Sequence, residues 1–363
     1  MPRPIVGGIR WPAFYFNGGA AVSNMRTLMG QADYQYLIPW YINDLPTEVG
    51  TQSSMDAELI QSKANGYDYF IYDFWFRNYF NAANGGLDKH RSSAFANRVK
   101  YCITHLPNYT PATWDADIAA DIVPLMMESN YQRMGNKPIY CLFNAPTFVT
   151  QMASYAGGGA GAIAALNAAV IAAGATDGIY TITAGTSVSG DHTAAVTLGL
   201  DALASYNSVI YSADSNNLIS QAAFETASIA NWTTQVGYGD KSVIPHAGLG
   251  WNIQGWLAAG IGCTNPPDGW ACHDTDHTPE ATPAEAAGRM QAAITFAAAN
   301  PTLCNTGHIW FGPCDEYTED GGGAFPTRGN KGYRMQALAH LLQKQGECRQ
   351  VIRGRGVQQW NSR

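Results

Sequence analysis

The run Asp315-Glu316-Tyr317-Thr318-Glu319-Asp320 sets four carboxylates within six residues, directly after the apolar segment GHIWFGPC. Like charges crowded this closely raise the pKa of at least one of them. A carboxyl raised in this way can serve as general acid near neutral pH while a neighbour stays ionised. Cleavage of a glycosidic bond needs that division of labour: one carboxyl to protonate the leaving oxygen, another to support the developing cation or act as nucleophile. Glu316 and Glu319 are the candidate catalytic pair. A solvated acidic surface loop is the competing reading, but the preceding apolar run and the following Gly321-Gly322-Gly323 favour a site.

Further candidates stand at the ends of the other apolar runs. They are Tyr72, Asp73 and Trp75, then His105, Asn144, Tyr206 and Asn207, His246, Trp251 and Asn252, and finally Trp310 and Tyr317. Aromatic faces beside amides and carboxylates suit a sugar, whose C–H faces stack on rings while its hydroxyls take planar polar partners. Asp73 is conspicuous, because a carboxylate in an apolar strand is costly unless something engages it. His105 and His246 read equally as site residues or as buried structural histidines, and Trp75 and Trp251 as groove-lining or core. His273 and His277 in CHDTDH sit among Pro, Gly and Asp, which favours a solvated loop over a metal site. No metal is expected, nor any cofactor, since neither a G-x-G-x-x-G after the first strand nor a P-loop is present.

Those residues need a scaffold that brings strand ends together. Short β-branched and aromatic runs alternate with Ala-rich helical stretches. IRWPAFYF, extended by YQYLIPWYI, is followed by YDYFIYDFWF, VKYCITHL, PIYCLFNA, GIYTITAG, ASYNSVIY, SVIPHAGLGW and GHIWFGPCDEY. Apolar strands buried on both faces and separated by helices imply a parallel sheet. Eight such units predict an α/β fold: a single (β/α)8 TIM barrel over residues 1–342, with long loops and the active site at the C-terminal face of the strands. A polar extension over residues 343–363 follows. Residues 262–282, rich in Pro, Asp, His and Cys, read as a long loop after the seventh strand.

Composition narrows the partners. A net charge of −7, a pI near 5.6 and only 13% charged residues argue against nucleic acid. No run approaches the roughly 18 apolar residues of a membrane span, so no membrane insertion is expected. The start MPRPIVGGIRWPAFYF lacks signal-peptide layout, which leaves a cytoplasmic, virion-associated or non-classically exported protein as the expectation. Of seven cysteines, Cys102, Cys141, Cys304 and Cys314 lie in or beside apolar runs as buried free thiols. Cys263 and Cys272 bracket TNPPDGWA, and a disulfide between them is one of the readings open there.

Three segments resemble the glycoside hydrolase family 99-like proteins. MDAELIQSKANGYDYFIYDFWF is similar to their helix leading into an aromatic second strand, and LMMESNYQRMGNKPIYCLFN to a later helix–turn–strand passage. GHIWFGPCDEYTEDGGGAFPT resembles their terminal Asn-Glu-Trp-x-Glu-Gly signature. The resemblance implies a retaining, endo-acting mannosidase-type domain. Glu316 would be the base assisting the substrate's 2-hydroxyl toward a 1,2-anhydro intermediate, and Glu319 the acid and base at the leaving oxygen. Asp315, Tyr317 and Asp320 depart from the signature's Asn, Trp and Gly, so both glutamates are kept while a mannan substrate rests on the resemblance alone. The expected partner is a polysaccharide or glycan. The alternative is a non-catalytic carbohydrate-binding or architectural module, such as a phage tail component assembled into a larger particle. A glycosyltransferase is a third reading, without a nucleotide-sugar motif to support it.

Overall fold

The computed structural model describes residues 3–10, 15, 50–80, 84–206, 218–250, 278–312, 336 and 339–342. Glu316, Glu319, Tyr317, Asn207, Trp251, Asn252, the Cys263–Cys272 pair, His273, His277 and the extension over residues 343–363 lie outside them.

Among the described residues ten strands appear: β1 (Ile5–Arg10), β2 (Tyr69–Phe74), β3 (Lys100–His105), β4 (Arg133–Met134), β5 (Lys137–Phe143), β6 (Tyr180–Gly185), β7 (Ala202–Ser205), β8 (Ser242–Ile244), β9 (His246–Ala247) and β10 (His308–Phe311). β4 is a two-residue antiparallel partner of β5. All other pairings are parallel, in the order β8-β7-β6-β5-β3-β2-β1-β10-β9.

β8 and β9 are two halves of the single run Ser242-Val-Ile-Pro-His-Ala247. The first half pairs with β7 and the second with β10. Pro245 between them has no N–H to donate, which breaks the ladder at that residue, while its carbonyl still accepts from Trp310 N at 3.0 Å. Nine parallel segments thus make eight strand positions, and the sheet returns on itself as a (β/α)8 barrel. β7 runs to Ser205, with Tyr206 just beyond it, and the rest of the expected sixth run, residues 207–211, lies outside the described residues.

The crossovers follow local chemistry. Helices α1 (Gln52–Ala64), α2 (Gly85–Ser92), α3 (Trp114–Asp117), α4 (Val123–Met126), α5 (Ala145–Gln151), α6 (Gly158–Ala172), α7 (Val188–Leu198), α8 (Gln221–Tyr238) and α9 (Pro283–Ala299) alternate with the strands. Thr51, Ser187, Ser220 and Thr282 cap helix N-termini, each accepting from a backbone N–H in the first turn. Thr282 and Glu285 form a reciprocal capping box. Between α3 and α4 the chain makes a π-helical turn over Ile118–Ile122, just ahead of Pro124. A proline inside a helix cannot donate to the ladder, so the register slips there.

β2, β5 and β10 are buried at almost every position. Alternate residues face the barrel interior and the helices. Tyr69 points inward against β1, where a Cβ on Gly7 would lie 2.4 Å from the Tyr69 ring. Gly7→Ala is therefore expected to destabilise the protein by about 1–3 kcal/mol through overpacking. An unchanged urea midpoint would show that the ring can move aside.

On the helix side, Arg10 forms a buried ion pair with Glu58 of α1 at 2.6 Å and donates to the Tyr72 hydroxyl at 3.2 Å. Nε2 of His90 faces the carbonyls of Val99 and Ala96 at 2.9 and 3.3 Å. Carbonyls only accept, so Nε2 carries the proton and Nδ1 accepts from Tyr72 at 3.0 Å. Glu58, Arg10, Tyr72 and His90 therefore form one hydrogen-bonded chain joining β1 and β2 to their crossover helices. Among the described residues Cys102, Cys141 and Cys304 are buried free thiols, and no helix is long and apolar enough to cross a membrane.

Candidate active site

Asp73 sits one residue before the C-terminal end of β2 and faces inward, 2% exposed. Its Oδ2 accepts from the Tyr206 hydroxyl at 2.9 Å. Tyr206 follows β7, with its backbone N–H on Gly185 O at 2.8 Å, and its ring meets Phe143 edge-on at 4.9 Å. The ends of β2, β5 and β7 thus converge across the mouth through one carboxylate, one phenol and one phenyl ring.

Asn144 comes next after Phe143, exposed and in the left-handed region (φ 53°, ψ 63°). A short polar side chain tolerates that backbone better than most. Its oxygen caps α5 by accepting from Thr147 N at 3.4 Å. Trp75 is half-buried beyond β2, edge-on to Phe80 at 5.6 Å.

Inside the barrel, His246 Nε2 lies 2.7 Å from Gly312 O and must donate to it. Burial first, and the charge of Arg289 as well, hold this imidazole down near a pKa of about 4, partly offset by nearby backbone carbonyls. A neutral His246 thereby ties β9 to the residue that follows β10. β10 ends at Phe311 with its C-terminus toward the same mouth as the other strands.

Three expected site residues lie elsewhere, and strand alternation is the reason. Tyr72 neighbours Asp73 in sequence, so it must face the helices, where it contacts Arg10 and His90. His105 likewise faces outward. Its Nδ1 shares a hydrogen bond with Tyr140 at 2.6 Å and its ring stacks on Trp114 of α3, while burial alone lowers its pKa to about 3. Trp310 does face inward, but below the mouth and fully buried. Its Nε1 donates to the Tyr69 hydroxyl at 2.8 Å, which lies 3.0 Å from His308 Nδ1. An indole N–H only donates, so the Tyr69 proton goes to His308. Burial pushes the His308 pKa to about 4. These three side chains build the scaffold and do not line the mouth.

Thr104 was not singled out from the sequence. It pairs in register with Asp73, is fully buried, and its hydroxyl has no hydrogen-bond partner among the described residues. Only the register between β2 and β3 puts it beside the carboxylate, and no pattern within the sequence carries that. Among the described residues no group of three or more His, Cys, Asp or Glu is placed to hold a metal ion.

The molecule is therefore an α/β barrel with polar and aromatic side chains gathered at the C-terminal mouth. Neither a protein-family model nor a curated protein sequence matches the chain. Solved structures do. A glycoside hydrolase-like protein aligns over 94% of both chains at 13% identity with a TM-score of 0.62. A family 99 endo-α-mannosidase from Bacteroides thetaiotaomicron, in complex with bis-tris-propane, aligns over 93% of this chain and 96% of its own at 13% identity, with a TM-score of 0.56. At that identity the likeness establishes a shared fold, and the resemblance to family 99 glycoside hydrolases holds at that level.

Proposed function

We propose that this chain is a glycoside hydrolase, retaining and endo-acting on a polysaccharide or glycan. Glu316 and Glu319 are the catalytic pair, and Asp73, Trp75, Asn144, Tyr206, Asn207, Trp251, Asn252 and Tyr317 contribute to sugar binding. The observation that carries the reading is the inward-facing Asp73, held by Tyr206 at the mouth toward which β10 runs. A buried carboxylate is expensive unless a use keeps it there, and in this fold class the chemistry sits at that face. The shared fold with structures described as glycoside hydrolases supports the class of reaction.

In this reading Glu319 protonates the leaving oxygen and later activates water. Glu316 takes the proton of the 2-hydroxyl as that oxygen closes on the anomeric carbon, giving a 1,2-anhydro sugar that water then opens. A mannan-like substrate is the first to test. A glycan-array screen followed by product analysis decides the class: cleavage with retained anomeric configuration supports the proposal. Tight binding without cleavage would establish the non-catalytic module instead.

A further inference from the structure

The single helical turn Arg77–Phe80 follows β2 at the rim of the mouth and turns its rings to water: Tyr79 is 63% exposed and Phe80 37%. Its backbone is tied down. Arg77 N donates to Asp121 at 2.7 Å, and the Arg77 guanidinium makes a two-pronged pair with Asp88 at 2.9 and 2.5 Å. Asn78 donates to Asp117 at 2.8 Å. On the strand side, Asn84 donates to the Trp75 carbonyl at 2.8 Å and accepts from Trp75 N at 3.4 Å. Phe80 in turn packs edge-on against Trp75.

Exposed aromatic rings on a slack loop would fold back to hide apolar surface. Here polar ties to α3, to the π-helical turn, to α2 and to Asn84 hold the turn in place. The Tyr79 ring stays mostly in water at a hydrophobic cost, and a ring held in place in this way suits a binding position. Its chemistry narrows the ligand. The Arg77 charge is taken up by Asp88, while Asp117 and Asp121 add carboxylates at the margin, so the platform offers flat apolar faces edged by acceptor groups that suit hydroxyl donors and disfavour an anionic ligand. A neutral pyranose fits, with C–H faces on the rings and hydroxyls at the polar margin.

We propose that Tyr79 and Phe80 form an outlying sugar subsite, continuous through Trp75 with the mouth, which takes a residue of the glycan chain distant from the bond being cut. The inference rests on the carbohydrate reading above and adds to it that the chain prefers long substrates. Tyr79 carries the test because its side chain is mostly solvated and its loss leaves the ties of the turn in place.

The experiment compares wild type, Tyr79→Ala and Tyr79→Trp on the glycan array. Calorimetry then follows, with oligosaccharides of two and of six or more residues from whichever polysaccharide is retained. Tyr79→Ala is expected to weaken the long oligosaccharide about tenfold, in keeping with the loss of one aromatic contact. Binding of the disaccharide and the melting temperature should stay unchanged, and Tyr79→Trp should restore the long-chain affinity. Equal affinity of wild type and Tyr79→Ala for the long chain would overturn the subsite and leave the glycosidase reading intact. Wild type binding no glycan on the array would overturn both. Concentration-dependent self-association in sedimentation, abolished by Tyr79→Ala, would assign the platform to a second copy of this chain and overturn the sugar subsite.

Discussion

Glu316→Gln and Glu319→Gln are each expected to lower glycan turnover by about 100- to 10,000-fold, the usual worth of general acid–base assistance, with the fold and glycan affinity largely kept. The two variants should part company with the leaving group. An activated aryl glycoside needs little protonation, so it should rescue Glu319→Gln and leave Glu316→Gln slow. A substrate without its 2-hydroxyl should fail with wild type if the anhydro route operates, and should react if a carboxylate attacks carbon directly. Initial rates with matched aryl and natural glycosides decide the assignment. Full turnover by either variant would remove that residue from the mechanism.

The second large effect is acid sensitivity. His90 and His246 titrate near 4, His308 near 4 and His105 near 3, each lowered first by burial. In the unfolded chain they take up protons near 6.5. Over the window from about 6.5 down to 4 the unfolded state therefore binds more protons than the native one, and stability falls as pH falls. Asp191 works in the opposite direction: burial raises its pKa to about 6 despite hydrogen bonds from Thr183 and Ser187, so its native state gains a proton first. Four groups outweigh one. The net loss by pH 5 is on the order of 5 kcal/mol, a large part of what a domain of this kind has to lose. Urea unfolding at pH 7.5 and at pH 5 measures it. Coincident curves would mean that these imidazoles protonate without unfolding.

Strand and helix positions were legible because barrel strands are buried on both faces and read as continuous apolar runs, with Ala-rich, capped helices between them. The same continuity hid which way each side chain points. An alternating strand announces its inner face, whereas YFIYDF does not. Tyr72 and Asp73 therefore looked equally placed, although neighbouring residues must face opposite sides. His105 masked Thr104 in the same way.

The sequence by itself determined the succession of elements, the acidic run beyond the last strand, and the presence of a carboxylate where apolar residues dominate. These follow from residue type and spacing within a single element. The tertiary structure alone decided that Pro245 divides the seventh strand between two neighbours, and that Asp73 meets Tyr206 across the barrel. It also decided that Trp310, Tyr69 and His308 form an interior chain of hydrogen bonds. Each of these joins residues 40 or more positions apart, so it depends on the register and closure of the sheet, which residue type and local spacing do not encode.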